Sequence, residues 1–281
     1  MSELPHSNLN KVSQEKTMRL APLFVAFLMT ASTFSAAAAE PIKELNISYI
    51  AGNMNTAALL MLNSEGLPVR VVTGTAHPTS NFAIVSKPGT ELSVRDLKGK
   101  QVVGPKGTFL HQLLAAALEK EGMKESDVQF INTGIPKALS TILAGHADAA
   151  LVASSALIKA NKAGAKTIIN AERLVEPTLV MTTTKQFAEE HPDIVKRVDK
   201  VYAESLQWMK DHPAETAEMG AKEHGISIED AKTLMERSHY FDKMTTKDLE
   251  DLKVNQKFLR DNGMMRNEVT VEELVLPVAM E

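Results

Sequence analysis

The chain contains no cysteine. That removes disulfides, thiolate zinc sites, cysteine nucleophiles and a lipid-modified N-terminal cysteine in one step. Net charge is only −4, and Lys, Arg, Asp and Glu are interspersed rather than gathered into a basic stripe, which argues against nucleic acid as a partner. There is neither a G-x-x-x-x-G-K-[ST] phosphate loop nor a G-x-G-x-x-G turn. H-x-x-x-H, H-E-x-x-H and G-x-S-x-G are also missing, so no metal site, cofactor site or catalytic residue is assigned. No internal repeat or low-complexity segment follows the first forty residues.

One long apolar run is present. Leu20 to Phe34 follows Lys16 and Arg19 and precedes Ser35-Ala36-Ala37-Ala38-Ala39-Glu40. At about 15 residues it falls short of the roughly 20 that a spanning helix needs, and small residues rather than a charged stop-transfer cluster come after it. It reads as a secretory signal over 1–39 with cleavage after Ala39. Met18-Arg19-Leu20 makes an ordinary signal start, so the initiator is Met18 or Met1. The expected product is a soluble periplasmic protein of about 240 residues, not a lipoprotein.

From Leu45 to about Val180 strand-like and helix-like runs alternate, which calls for α/β architecture with mostly parallel sheets and flanking helices. Strands are expected at 45–50, 68–72, 82–85, 101–103, 128–131, 149–152, 166–169 and 179–182. Helices are expected at 56–62, 109–120, 136–143 and 155–163. The remainder is almost wholly helical. His212-Pro213 starts one helix and Gly225 ends it, Ser227-Ile228-Glu229-Asp230 forms a capping box, and Asn262-Gly263 closes a helix that begins near Thr245.

Four strand-to-helix junctions are small and polar: Asn53-Met54-Asn55-Thr56, Gly104-Pro105-Lys106-Gly107-Thr108, Asn132-Thr133-Gly134-Ile135-Pro136 and Ala153-Ser154-Ser155. A helix start leaves unpaired N–H groups where the dipole favours negative charge. Lys106 and the Thr108 hydroxyl add donors, although Gly104 and Gly107 also serve simply to make the turn while Thr108 caps the helix. In open α/β sheets ligands bind outside the carboxyl ends of the strands, so the four junctions are expected to line one crevice. His191, His212 and His224 lie at helix ends and read as structural. His77 lies in the polar loop Thr73 to Asn81, where it is either an exposed turn residue or faces the crevice.

The stretch Asp96-Leu97-Lys98-Gly99-Lys100 leading into Gly104 to Thr108, then Gly145-His146-Ala147-Asp148-Ala149-Ala150, then Glu189-Glu190-His191-Pro192-Asp193, resembles the nitrate/sulfonate/taurine class of ABC-transporter substrate-binding proteins. That group also resembles the yeast thiamine-pyrimidine synthesis proteins. The resemblance runs from Leu45 to Leu276 and implies a two-lobed, type II periplasmic binding protein that closes on its ligand and presents it to a permease and its ATPase. By carry-over, 40–85 starts lobe 1, 86–176 forms lobe 2, and 177–281 returns to lobe 1 and adds the C-terminal helices. Lys106, Gly107, Thr108, Ala153 and Ser154 fall on the second-lobe wall, and Asn53, Asn55 and Thr56 on the first. Gly134 and His77 complete the expected ligand-binding set.

The chain departs from the family at one place. Tyr49-Ile50 runs straight into Ala51-Gly52, where the family has a further loop, helix, strand and helix. A βαβ unit needs about 30 residues, and there is no room for one, so the first lobe is expected to be incomplete. The expected ligand is a small anion such as a sulfonate, nitrate, taurine-like compound or carboxylate, the protein a monomer with no cofactor. The alternatives are an exported enzyme of the pyrimidine-synthesis-like branch and a ligand-sensing input module of a membrane receptor.

Overall fold

The computed structural model describes residues 56–280. The signal at 1–39, the strand at 45–50, the junction after Ile50, and Asn53 and Asn55 lie outside the described residues. Among the described residues no helix is long and apolar enough to cross a membrane.

The described chain opens with α1 (Thr56–Ser64) and β1 (Val69–Ala76), then crosses to β2 (Phe82–Ser86). Next come β3 (Gln101–Gly104), α2 (Phe109–Lys120), β4 (Gln129–Asn132), α3 (Ile135–Leu143), β5 (Ala149–Ala153), α4 (Ser155–Lys162) and β6 (Thr167–Asn170). The chain returns through β7 (Leu179–Thr184) and ends in α5 (Lys185–Glu190), α6 (Pro192–Asp211), α7 (Pro213–His224), α8 (Ile228–Glu236), α9 (Thr246–Asp261) and α10 (Val271–Leu274). Every strand and helix expected within the described residues is present, with bounds shifted by a few residues.

Two sheets result, ordered β1-β7 and β4-β3-β5-β2-β6. In the larger sheet β3 runs parallel to β4 and β5, whereas β2 is antiparallel to both β5 and β6. Four strands therefore point one way and β2 the other. The mostly parallel expectation holds for this sheet but not for the smaller one, where β1 and β7 are antiparallel with two bulges. β2 also sits in the larger sheet, beside β5 and β6. Among the described residues the first lobe has two sheet strands against the second lobe's five.

The larger sheet is covered on both faces, as the period-two alternation of its strands requires. Ile84, Val102 and Leu151 point toward Phe109, Leu110, Leu113, Leu114 and Leu118 of α2. Ala83, Val85, Val103, Ala150 and Val152 point the other way, toward Ala138 and Ile142 of α3 and Leu157 and Ala160 of α4. Gly104 has to be glycine, because a Cβ there would stand 2.5 Å from the Leu151 Cβ on the neighbouring strand. A third cluster joins Leu59 and Leu60 of α1 to Leu252 and Leu259 of α9 and Leu274 of α10.

The helical caps follow the sequence signals. Gly225 ends α7 in the left-handed region at φ 58°, and Ser227 and Asp230 form the expected reciprocal box. A second box joins Thr245 to Asp248 at the start of α9. Asp248 also meets the His77 imidazole at 3.2 Å. Burial pushes the Asp248 carboxyl up, but hydrogen bonds from His77 and from the Thr245 hydroxyl and amide outweigh it and hold the group at about 2. Since this lies below the ordinary value of 3.8, its contribution to stability is fully present above about pH 4 and is lost as the pH falls through about 2. Asp248→Asn is expected to cost about 1–2 kcal/mol in urea unfolding at pH 7. The gap to the parent chain should narrow toward pH 2; a gap that stays constant would show that the ionised carboxylate is not its source.

Candidate functional site

β3, β4 and β5 run parallel, with Gly104 level with Asn132 and Val103 level with Ala150. Their carboxyl ends consequently share one sheet edge, and the starts of α2, α3 and α4 line up along it. Three of the four junctions expected from the sequence are brought together this way; the fourth lies mostly outside the described residues.

At the junction before α2 three donors are engaged within the protein. The Lys106 amide donates to Asn132 Oδ1 at 2.9 Å, the Gly107 amide to His111 Nδ1 at 3.2 Å, and the Thr108 hydroxyl to the Pro105 carbonyl at 2.9 Å. Thr108 occupies the N-cap position without a side-chain cap bond. His111 is fully buried, and its Nε2 lies 3.0 Å from Glu125 Oε2. Burial pulls its imidazole below the ordinary value, against the opposing pull of Glu125. A neutral ring with the proton on Nε2 accepts from Gly107 and faces Glu125 at the same time. Gly107 takes φ +69°, and a Cβ there would touch Met61 of α1 at 3.5 Å, so the first lobe already packs over this turn. The Lys106 ammonium is exposed.

Thr56 is buried and does not face open space. Its hydroxyl accepts from Asn255 Nδ2 at 3.2 Å, while Asn255 Oδ1 accepts from Gln112 Nε2 at 2.6 Å. This buried chain ties α1 and α9 to α2 across the lobes. His77 is similarly engaged: its ring stacks on Phe241 at 4.1 Å and points Nε2 at Asp248, and its amide donates to Ser238. Phe241 in turn lies over Gly74, where a Cβ would come within 2.0 Å of the ring. The crossover segment is thus fixed to α9.

Space is available at the α3 and α4 starts. A cavity of about 430 Å³ is lined there by Ala153, Ser154, Ser155, Ile135, Pro136 and Lys159, and closed by Asn81, His224, Ser238 and Tyr240. Ala153 and Ser154 were expected in it, and Gly134 is the N-cap residue immediately before Ile135. Asn81, Lys159, Ser238 and Tyr240 carried no sequence signal, and His224 reads from sequence as a helix-end residue. They reach the cavity from the crossover, from the body of α4 and from the α7–α8 region, and only folding assembles them.

The electrostatics of this cavity are one-sided. Two helix N-termini face it, and among the described residues no carboxylate lines it. The Lys159 ammonium stands at its rim, donating to the His224 carbonyl at 2.9 Å. Asn81 and Ser238 are buried, and Asn81 Nδ2 makes only long contacts of 3.4 Å to Leu234 and Ser238. A wider hollow of about 880 Å³ near Lys253, Lys257 and Arg260 contrasts with it. There the cations are matched by Glu272, Asp261 and Glu268, so its walls neutralise themselves.

Ser154 holds the turn between β5 and α4 at φ 52° and ψ −128°, a conformation that L-residues avoid. Its amide is anchored on the Asn81 carbonyl at 2.8 Å. The strain aims the Ser154–Ala156 backbone into the cavity. Ser154→Gly is expected to be more stable than Ser154→Ala by about 1 kcal/mol in thermal or urea unfolding. Equal stabilities would mean that the turn relaxes in solution.

Comparison with known proteins agrees with this architecture. A family model described as "NMT1/THI5 like" matches residues 51–216. The taurine-binding periplasmic protein of Escherichia coli (strain K12) is 30% identical over 160 residues, 56% of this chain and 49% of that protein; the chain thus spans about half the length of this curated relative. The alkanesulfonate-binding protein SsuA of Xanthomonas axonopodis pv. citri, solved with MOPS, superposes with TM-score 0.69 at 18% identity, over 80% of this chain and 79% of that one. The desulfurization enzyme DSZB superposes with TM-score 0.62 at 13% identity, over 77% and 80%. At these identities the two superpositions speak to fold alone.

Proposed function

Because the chain belongs to the NMT1/THI5-like family, we propose that it is the solute-binding component of an importer and captures a small organic anion of the sulfonate type at the starts of α3 and α4. The observation that carries this reading is the cavity itself. Among the described residues it has no lining carboxylate, and it has two helix N-termini and Lys159 at the rim, the features that favour an anion over a neutral or cationic solute. The first-turn amides of Ser155 and Ala156 supply directional donors, with the Ser154 and Ser155 hydroxyls beside them. Lys106, on the same sheet edge and exposed, adds attraction at longer range.

Among the described residues no carboxylate lines the cavity, and no group of His, Asp and Glu is arranged to hold a metal. Export to the periplasm and delivery to a membrane permease with its ATPase complete the proposal, by analogy with the taurine-binding relative.

A thermal-shift series tests it. Taurine, ethanesulfonate, nitrate and acetate are compared with neutral analogues, and the sulfonates are expected to stabilise most, by about 2.7 kcal/mol at a hundredfold excess over Kd. Stabilisation by neutral compounds alone would refute the anion reading. Lys159→Ala should weaken sulfonate binding about two- to five-fold, the range for a solvent-screened cation, and more than Lys106→Ala or Thr108→Ala does. The reverse ranking would move the site to the start of α2. Recovery of unaltered ligand after incubation distinguishes capture from turnover, the alternative raised by the shared fold of the desulfurization enzyme.

A further inference from the structure

His111 is a fully buried titratable group that anion capture does not use. It stands in the first turn of α2, between the two residues through which that turn meets α1 and α9. On one side Gly107 lies against α1, since a Cβ there would stand 3.5 Å from Met61. On the other, Gln112 donates to Asn255 of α9 at 2.6 Å, and Asn255 reaches Thr56 of α1. Whatever moves the His111 ring disturbs both contacts.

The ring is held on both edges and one face. Its Nδ1 accepts from the Gly107 amide at 3.2 Å, its Nε2 lies 3.0 Å from Glu125 Oε2, and its face stacks on Phe130 of β4 at 4.7 Å. A neutral imidazole suits this arrangement, with a lone pair on Nδ1 and the proton on Nε2. An imidazolium carries N–H on both nitrogens, so it would set a donor against the Gly107 amide. Turning the ring over offers that amide no acceptor either.

Burial is the largest influence on the ring and pulls it below its ordinary value of 6.5. Among the described residues the charged groups facing it are Glu125, in the short turn Glu125–Asp127 before β4, and Lys106, in the turn before α2. Glu125 favours the cation, Lys106 disfavours it, and β4 presents the uncharged Phe130. Because the folded value is depressed, the stability that the neutral ring contributes is complete above 6.5 and is lost as the pH falls below it.

We propose that His111 is a proton-operated catch: neutral, it seats the Gly107 turn against Met61 and holds the start of α2 to α1 and α9; protonated, it expels the Gly107 amide and releases that seat. The start of α2 then loosens in mild acid ahead of the rest of the fold, whichever ligand the protein captures.

Amide exchange of the full-length protein from about pH 7.5 to about pH 5, corrected for the intrinsic exchange rate, tests this. The opening equilibrium at Gly107 is expected to rise about tenfold for each pH unit below 6.5, until the folded value of the ring is reached. Ala231, whose amide donates to the Ser227 carbonyl in α8, should keep constant protection. His111→Asn places a carboxamide oxygen near the Nδ1 position and does not titrate, so Gly107 should stay protected throughout. Should that variant fail to fold, Glu125→Gln, at a side chain 34% exposed, decides the matter. Removing the carboxylate that favours the cation should extend the rise at Gly107 to lower pH. A flat Gly107 profile in the parent chain overturns the proposal, as does a slope that survives His111→Asn or is unmoved by Glu125→Gln.

Discussion

The position of β5 between β3 and β2 is the constraint on which the site depends. Its sequence, Ala149-Ala150-Leu151-Val152-Ala153, is buried throughout, and its small residues let α2 approach one face while α3 and α4 approach the other. β5 fixes the three helix starts along one edge, and its last residue hands the chain to the strained turn at Ser154. Because the turn is held by the hydrogen bond from Ser154 to Asn81, the cavity wall is tied directly to the crossover between lobes. A change that loosens β5 reaches the sheet, the helix starts and the crossover together.

The crossover is itself fixed twice. Phe241 lies on the Gly74 backbone and stacks on His77, and His77 meets the carboxylate that caps α9. On the far side the buried chain from Gln112 through Asn255 to Thr56 joins α2 to α9 and α1. The lobes are held by directional polar contacts in addition to apolar packing, which defines one relative placement more sharply than apolar contact alone. With two described strands in its sheet, the first lobe relies on α9, α10 and α1 for its core.

These anchors also redistribute the chemistry along the sheet edge. All three helix starts carry the same dipole, yet the one before α2 uses its amides on Asn132 and His111 and lies against Met61, whereas those of α3 and α4 open on free volume. Equivalent sequence signals thus acquire different surroundings from their neighbours, and the open helix starts adjoin a cavity that no carboxylate lines among the described residues.

The sequence by itself determined the succession of strands and helices, the caps at Gly225 and Ser227, and the clustering of small polar junctions, because these follow from local periodicity and from the conformational preferences of single residues. The glycine-rich turn before α2 stood out for the same reason, and Ala153 and Ser154 were legible as the end of a strand meeting a helix. Only the tertiary structure decided which junctions open on the cavity. It also decided that His77 serves Asp248 and Phe241, that Thr56 belongs to a buried polar chain, and that Asn81, Lys159, His224, Ser238 and Tyr240 surround one cavity. Those outcomes depend on contacts between residues as far apart in sequence as Thr56 and Asn255, and on which atoms are already paired. No local pattern encodes either.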